Sequence, residues 1–118
     1  MCSIARANVP LPDMAAERIP IPELKKRLDS SKKPIVVDVR EASEIKESGA
    51  LPGAIHIPLG QIEKRMGELP KNADIVCYCG GGGRASRAAE AFVKAGYKRV
   101  HFCGLRDWKK QGLPIAGA

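Results

Sequence analysis

Residues 74–90 read "DIVCYCGGGGRASRAAE", and this stretch decides the fold class of the chain. Residues 74–79 form a short, mostly apolar run, which predicts a buried β-strand. After four glycines, apolar side chains at positions 85, 88, 89 and 92 recur at helical spacing, which predicts a helix over 84–96. A strand that runs through a loop directly into a helix is typical of an α/β fold.

The same alternation of short apolar runs and helical patterns extends to both sides of this stretch. Besides 74–79, strands are predicted over 34–39, 53–58 and 99–103. Besides 84–96, helices are predicted over 22–28, 40–49, 61–70 and 104–114. Such alternation indicates a parallel sheet covered by helices on both faces, and ligands of these sheets bind beyond the carboxyl ends of the strands. The glycine run lies at that end of its strand.

The composition suits one globular domain. The chain has 118 residues, of which 44% are hydrophobic. We expect residues 1–16 to be a loosely ordered lead-in and residues 17–118 to form the domain. The four cysteines are too few for a disulfide scaffold and indicate free thiols in a reducing compartment. They are Cys2, Cys77, Cys79 and Cys103. No segment is long and apolar enough to span a bilayer, so the expected location is the cytoplasm.

The positive charge is concentrated after the glycine run. The formal net charge is +7, and residues 84–110 contain eight of the 20 Lys and Arg residues but two of the 13 acidic ones. Such a surface could attract small anions or acidic partners. An equally acceptable interpretation is a solvated basic surface with no partner.

The glycines at 80–83 indicate a loop that needs bare backbone, because glycine loses more conformational freedom on folding than any other residue. Successive N–H groups in such a loop can curl around an anion, and the following helix adds the positive end of its dipole. Arg84 adds a permanent cation with a forked donor geometry. Cys79 lies at the mouth of this field and is expected to be a nucleophile near neutral pH. The loop is therefore expected to hold a negatively charged group that is carried on Cys79 or attacks it.

The length of the loop separates two kinds of cysteine chemistry. Tyrosine-phosphatase-type enzymes use C-x5-R, whereas four residues separate Cys79 from Arg84. The shorter loop suits the single added sulfur atom of a cysteine persulfide better than a phosphoryl group.

Four motifs together resemble those of single-domain rhodaneses, over about residues 17–115. They are "VDVRE" (37–41), "PGAIHIPL" (52–59), "CGGGGRAS" (79–86) and "GLRDWKKQGLP" (104–114). Each motif alone is weak, but all four in this order and spacing are specific. The resemblance implies a five-stranded parallel sheet flanked by helices on both faces. It also implies transfer of sulfane sulfur through a persulfide on the loop cysteine.

The resemblance also implies the site residues. Cys79 would be the catalytic cysteine, and the main-chain N–H groups of the loop would bind the substrate sulfur. The loop residues are Gly80, Gly81, Gly82, Gly83 and Arg84. No cofactor, metal ion or separate base is expected. The family often has a histidine where this chain has Ala50, and its loop more often has polar side chains than four glycines. The second difference removes contacts that could select a donor.

The implied reaction takes sulfur from a small anionic donor such as thiosulfate and gives it to a thiol or cyanide acceptor. In a second interpretation, Cys79 passes sulfur between proteins, one of them an acidic sulfur carrier, and thiosulfate is a poor donor. A small phosphatase or arsenate reductase is a third, which the loop length opposes. No membrane partner is expected. Nor is nucleic acid binding, because the chain has only two Phe, two Tyr and one Trp for base stacking.

Other residues have structural interpretations. Asp38 and Arg40 end a predicted strand beside the site, and an ion pair is favoured over a substrate contact. Trp108 is expected to anchor the core, and Cys77 to be a core thiol. The glycine run also matches a dinucleotide-binding fingerprint, but the chain is too short for two mononucleotide-binding halves.

The last strand leaves two alternatives for its polar residues. His101 and Cys103 could join Cys77 and Cys79 in a zinc site, although such residues on interior strands more often fill the core. Cys103 could instead act as a resolving thiol that forms a disulfide with Cys79, with a spectator role as the default. His56 and His101 have no evident partner and are interpreted as packing or surface residues.

Overall fold

The computed structural model describes residues 16–116 and contains one parallel sheet of five strands. The strands are β1 (Glu17–Arg18), β2 (Ile35–Asp38), β3 (Ile55–His56), β4 (Asp74–Cys79) and β5 (Arg99–Gly104). Their spatial order is β1-β5-β4-β2-β3, and every pairing is parallel. The predicted sheet is therefore confirmed. The expected lead-in over residues 1–16 lies almost entirely outside the described residues.

Within residues 16–116, five helices connect or follow the strands. They are α1 (Ile21–Leu28), α2 (Ala42–Ser48), α3 (Ile62–Arg65), α4 (Gly83–Lys94) and α5 (Leu105–Lys110). Within the described part of the chain, none of these helices combines the length and apolar character that crossing a bilayer requires.

The single helix predicted over 61–70 is wrong. The segment is one short helix, α3, between two 3₁₀ turns at Leu59–Gln61 and Met66–Glu68. The hydroxyl of Tyr97 lies 2.6 Å from the carbonyl oxygen of Met66 and 2.7 Å from that of Leu69. These carbonyls thus face a tertiary partner, and Gly67 further weakens the helix because of its low propensity.

The strand β1 has no signal in the sequence pattern. It consists of two exposed residues, Glu17 and Arg18, that pair with His101 and Phe102 of β5 at the edge of the sheet. A two-residue strand without buried side chains has no apolar run, so only the pairing defines it.

Alternate side chains of β4 point to opposite faces of the sheet, as in any strand. We call the side of Ile75, Cys77 and Cys79 the thiol face; there these residues pack with Ile62 of α3 and with buried residues of α4. The buried residues of α4 are Ala85, Ala88, Ala89 and Phe92. We call the side of Val76 and Tyr78 the tyrosine face.

The tyrosine face is covered by α1 and α5. Leu24 of α1 and Trp108 of α5 are buried in the same apolar cluster as Tyr78. The predicted helices on both faces are thus confirmed, and Trp108 is a core anchor as expected, with 2% of its surface exposed.

Candidate functional site

The glycine loop lies between the carboxyl end of β4 and the first turn of α4. Cys79, the last residue of β4, is 1% exposed, and its side chain belongs to the cluster on the thiol face. The main-chain N–H of Gly82 donates to Cys79 Sγ at 3.0 Å, and that of Ala85 does so at 3.4 Å. The amides therefore point inward, toward the sulfur. Ala85 was not among the residues that the sequence indicated.

Only one loop glycine needs left-handed backbone. Gly82 has φ of +109°, and a Cβ there would lie 2.5 Å from Arg18 Nη2. Gly80 and Gly83 have no positive φ, and a Cβ on either would meet nothing within 4 Å. The expectation that the loop needs bare backbone therefore holds strictly at Gly82, since most side chains are strained at such φ.

Gly104 is a second required glycine, and the sequence analysis did not single it out. It pairs with Cys79 in the sheet register, and a Cβ there would lie 2.9 Å from the carbonyl oxygen of Gly80. The N–H of Arg106 donates to that same oxygen at 3.1 Å. The junction of β5 and α5 thus supports the loop from behind.

Arg84 is engaged by a carboxylate that the sequence analysis missed. Its Nη1 and Nη2 donate to Glu44 Oε2 at 2.8 Å and Oε1 at 2.9 Å. Hydrogen bonds from Arg84 and from the N–H of Glu41 lower the pKa of Glu44 to about 2. Glu44 in turn raises the pKa of Arg84. Arg84 therefore closes the loop as half of a two-pronged ion pair, with its charge compensated.

The predicted ion pair of Asp38 and Arg40 is confirmed, and it is part of a larger buried network. Arg40 Nη2 lies 2.7 Å from Asp38 Oδ2, and each side chain is 2% exposed. Arg40 also donates to Ser48 Oγ and to the carbonyl oxygen of Gly49. The network thereby attaches Ser48, the last residue of α2, and Gly49, which follows it, to the end of β2.

Tyr78 completes this network on the tyrosine face. Its hydroxyl donates to Asp38 Oδ2 at 2.7 Å and accepts from the N–H of Leu51 at 3.1 Å. Burial, followed by the hydrogen bond to Asp38, raises the pKa of the Tyr78 phenol. Because Glu44 lies on α2, this network also positions Glu44 for its ion pair with Arg84.

The candidate zinc ligands are divided between the two faces of the sheet. Cys77 and Cys79 belong to the thiol face, whereas His101 and Cys103 pair in register with Val76 and Tyr78 and lie on the tyrosine face. The four side chains do not converge. The same placement argues against a disulfide between Cys79 and Cys103 in the folded protein.

The two other described thiols are core residues. Cys77 is fully buried, which confirms its interpretation, and burial raises the pKa of its thiol. Burial also raises the pKa of the Cys103 thiol to about 12. The interpretation of His56 as a residue without a partner is wrong, because its Nε2 lies 2.7 Å from the carbonyl oxygen of Arg40.

Two more arginines overhang the loop. Arg18 Nη2 donates to the carbonyl oxygen of Gly81 at 3.4 Å, and Arg18 Nη1 lies 3.5 Å from Asp107 Oδ2. The guanidinium of Arg106 lies over Gly81, with Nη1 3.3 Å from the position of a Cβ there. The bare loop is thus surrounded by cations from β1, α4 and α5.

The fold and the site define an α/β protein with a buried cysteine at the end of a central parallel strand, ringed by main-chain amides. The Rhodanese-like domain family profile matches residues 21–111. The chain belongs to this family.

Similar proteins agree with this assignment. The chain is 41% identical over 95 residues to "Putative sulfur carrier protein YrkF" of Bacillus subtilis, covering 75% of this chain and 51% of YrkF. It is 37% identical over 94 residues to "Sulfurtransferase" of Allochromatium vinosum, covering 78% of this chain and 87% of that protein. The chain thus spans about half the length of YrkF.

A solved structure shows the same fold. The rhodanese-like domain protein from Staphylococcus aureus is 32% identical, with a TM-score of 0.73 over 85% of this chain and 98% of that one.

Proposed function

We propose that this chain is a sulfurtransferase that carries sulfane sulfur as a persulfide on Cys79. The observation that carries the proposal is that Cys79 Sγ accepts hydrogen bonds from the main-chain N–H groups of Gly82 and Ala85. Within residues 16–116, the hydrogen-bonding partners of Cys79 Sγ are donors and include no acceptor group. A site made of donors alone favours a negative charge on the sulfur it surrounds.

The first step loads the cysteine. The thiolate of Cys79 attacks the outer sulfur of thiosulfate, and a new S–S bond forms at Cys79. The S–S bond of thiosulfate breaks, and its electron pair leaves with sulfite. Cys79 is then a persulfide anion.

The second step unloads it. A thiolate or cyanide acceptor attacks the outer sulfur, the persulfide S–S bond breaks, and its electron pair returns to Cys79. The product is a new persulfide or thiocyanate. Neither step needs a proton transfer within the site when the attacking group is already an anion.

The ring of amides supplies most of the stabilisation in both steps. Gly82 and Ala85 aim their N–H groups at the sulfur before any charge moves, so little reorganisation is needed. One such donor is typically worth about 3–4 kcal/mol of barrier. The N-terminal turn of α4 adds its dipole, since Gly83 is its first residue. Arg84, compensated by Glu44, contributes to this arrangement by fixing the loop.

A protein-to-protein sulfur relay is the second candidate function. Cys79 is 1% exposed, and the rim of the loop carries cations that suit an acidic protein surface. The name of YrkF as a sulfur carrier points in the same direction. In this role the donor is a persulfidated protein, and thiosulfate loads Cys79 slowly. The cytoplasmic location is part of both proposals, and the three free thiols of the described residues suit a reducing compartment.

Intact-mass measurement after incubation with a donor tests both candidates. We expect wild-type protein to gain one sulfur atom, about 32 Da, because its thiolate is the nucleophile, whereas Cys79→Ser gains none. Faster loading from a persulfidated protein than from thiosulfate would favour the relay. Turnover of an aryl phosphate would contradict both and restore the phosphatase interpretation.

A further inference from the structure

The site has an open side that the reaction described above does not use. A cavity of about 250 Å³ lies beside the loop and is lined by residues of α2, the loop and α5. Its wall includes Gly80, the carboxylates of Glu44 and Glu47, and the cations Arg106 and Lys109. These two cations are three residues apart on α5, so their side chains share one side of that helix.

The arginines near the loop differ in how their charge is compensated. Arg40 is paired with Asp38, Arg84 with Glu44, and Arg18 with Asp107. These three pairs leave the carboxylates of Asp38, Glu44 and Asp107 already occupied.

Arg106 has no such partner. Within residues 16–116, no carboxylate lies in ion-pair distance of its guanidinium. The guanidinium lies over the main chain of Gly81, with Nη1 3.3 Å from the position of a Cβ there.

The backbone of Arg106 is also attached to the loop. Its N–H donates to the carbonyl oxygen of Gly80 at 3.1 Å, and Gly104 packs directly against Gly80 and Gly81. The backbone of Arg106 is therefore held beside the loop, two residues after the strand position that pairs with Cys79. An uncompensated cation whose backbone is attached to the loop can bind an anion that enters beside Cys79.

We propose that Arg106, flanked by Lys109, is the residue that binds the anionic sulfonate end of thiosulfate. This inference rests on the proposed function of Cys79. A forked guanidinium matches two sulfonate oxygens, as it matches those of carboxylates and phosphates. While Cys79 bonds to the outer sulfur, the electron pair of the broken S–S bond goes to the departing sulfite, which Arg106 holds. The proposal reassigns to Arg106 the anion-binding role that the sequence suggested for Arg84.

Binding and loading are measured separately, so that the failures of this inference and of the proposed function can be told apart. In the first experiment, thiosulfate is titrated into Cys79→Ser protein, which holds the anion but cannot take up sulfur, and the amide NMR shifts of residues 80–83 are followed. We expect Arg106→Gln in that background to raise the dissociation constant about tenfold or more, the effect of losing a charged hydrogen bond. Arg106→Lys should recover part of the affinity.

In the second experiment, the rate of sulfur loading on otherwise wild-type protein is measured against thiosulfate concentration by quenched intact mass. Arg106→Gln should raise the half-saturating concentration about tenfold and leave the maximal rate nearly unchanged, because it removes binding rather than chemistry. Arg87→Gln is the matched control, since Arg87 is exposed on α4 and does not line the cavity. It changes the net charge equally and should have little effect.

Three results would overturn the inference: binding by Arg106→Gln that equals that of the parent, an equal loss in Arg87→Gln, or a loss confined to loading from a persulfidated acidic protein. The last would assign Arg106 to a protein interface instead. Normal binding without loading in wild type would contradict the thiosulfate reaction but leave the anion site intact.

Discussion

Two neighbouring residues of β4 show how differently the two faces of the sheet are built. Tyr78 points to the tyrosine face, where its hydroxyl both donates to Asp38 and accepts from Leu51. Cys79 points to the thiol face, where its sulfur only accepts, from Gly82 and Ala85. The Tyr78 hydroxyl therefore has a donor and an acceptor as partners, whereas the Cys79 sulfur has donors alone.

This difference indicates that the tyrosine face mainly stabilises the fold, whereas the thiol face carries the reaction. On the tyrosine face, the charges of Asp38 and Arg40 compensate each other and are buried, so changes there should cost stability. On the thiol face, donors surround an atom that can become an anion, so changes there should cost activity.

Cys79 and Cys103 should differ completely in sulfur transfer. Cys79→Ser should abolish turnover with thiosulfate and cyanide, because a hydroxyl cannot form a persulfide. Cys103→Ser should retain turnover, because Cys103 lies on the opposite face of the sheet. Thiocyanate formation measures both. Loss of turnover in Cys103→Ser at unchanged stability would show that the sheet does not separate the two thiols functionally.

Two acid-to-amide substitutions should separate the buried pair from the partly exposed one. Asp38→Asn leaves Arg40 as an unpaired buried charge and should lower the free energy of unfolding by about 3–5 kcal/mol. Glu44→Gln breaks a pair whose side chains are 37% and 35% exposed, and should cost less than about 1 kcal/mol. Urea denaturation gives both values. Equal costs would mean that the network on the tyrosine face is no more important for stability than the rim of the loop.

Substitutions of two loop glycines should separate backbone strain from side-chain space. Gly82→Ala should lower the free energy of unfolding by about 1–2 kcal/mol, because its φ is in the left-handed region. It should also slow sulfur loading, because the Gly82 N–H contacts Cys79. Gly83→Ala, at the first residue of α4, should change stability by less than about 1 kcal/mol. Thermal unfolding together with intact-mass loading rates checks the pair, and similar losses in both variants would contradict the assigned roles.

The pH dependence of the Glu44 contribution should be small and confined to acid. Arg84 lowers the pKa of Glu44 from its usual 4.5 to about 2, so the pair stabilises the fold fully above the usual value. This stability is lost as the pH falls from about 4.5 toward 2. The difference in unfolding free energy between wild type and Glu44→Gln, less than about 1 kcal/mol near neutral pH, should shrink over that window. A difference that grows with acidity would refute the assigned direction of the shift.

Much of the fold was predictable from the sequence because its signals are local. The apolar runs of β2, β4 and β5 and the helical spacing in α4 are each read within a few residues, and all four elements were predicted. The segment around α3 was mispredicted, because Tyr97, distant in sequence, binds its carbonyl groups. The strand β1 was missed, because an edge strand of two exposed residues has no pattern.

The residues of the candidate site likewise include some that the sequence indicated and some that it did not. The cysteine, the loop length and the position of the loop at a strand end follow from consecutive residues, and the sequence indicated them. Glu44 was not indicated, because its partner Arg84 stands 40 positions away. Gly104 could have been found only by knowing that β5 lies beside β4.

By itself, the sequence determined an α/β fold in which a cysteine ends a strand and a glycine loop leads into a helix, since hydrophobic period and turn residues act over short distances. Only the tertiary structure decided which arginine beside the loop stays free, because the fold brings Glu44 to Arg84 and Asp107 to Arg18, and brings no carboxylate to Arg106 within the described residues. In these two pairs, charge compensation depends on a few ångströms between positions that are distant in the chain, and no local pattern contains it.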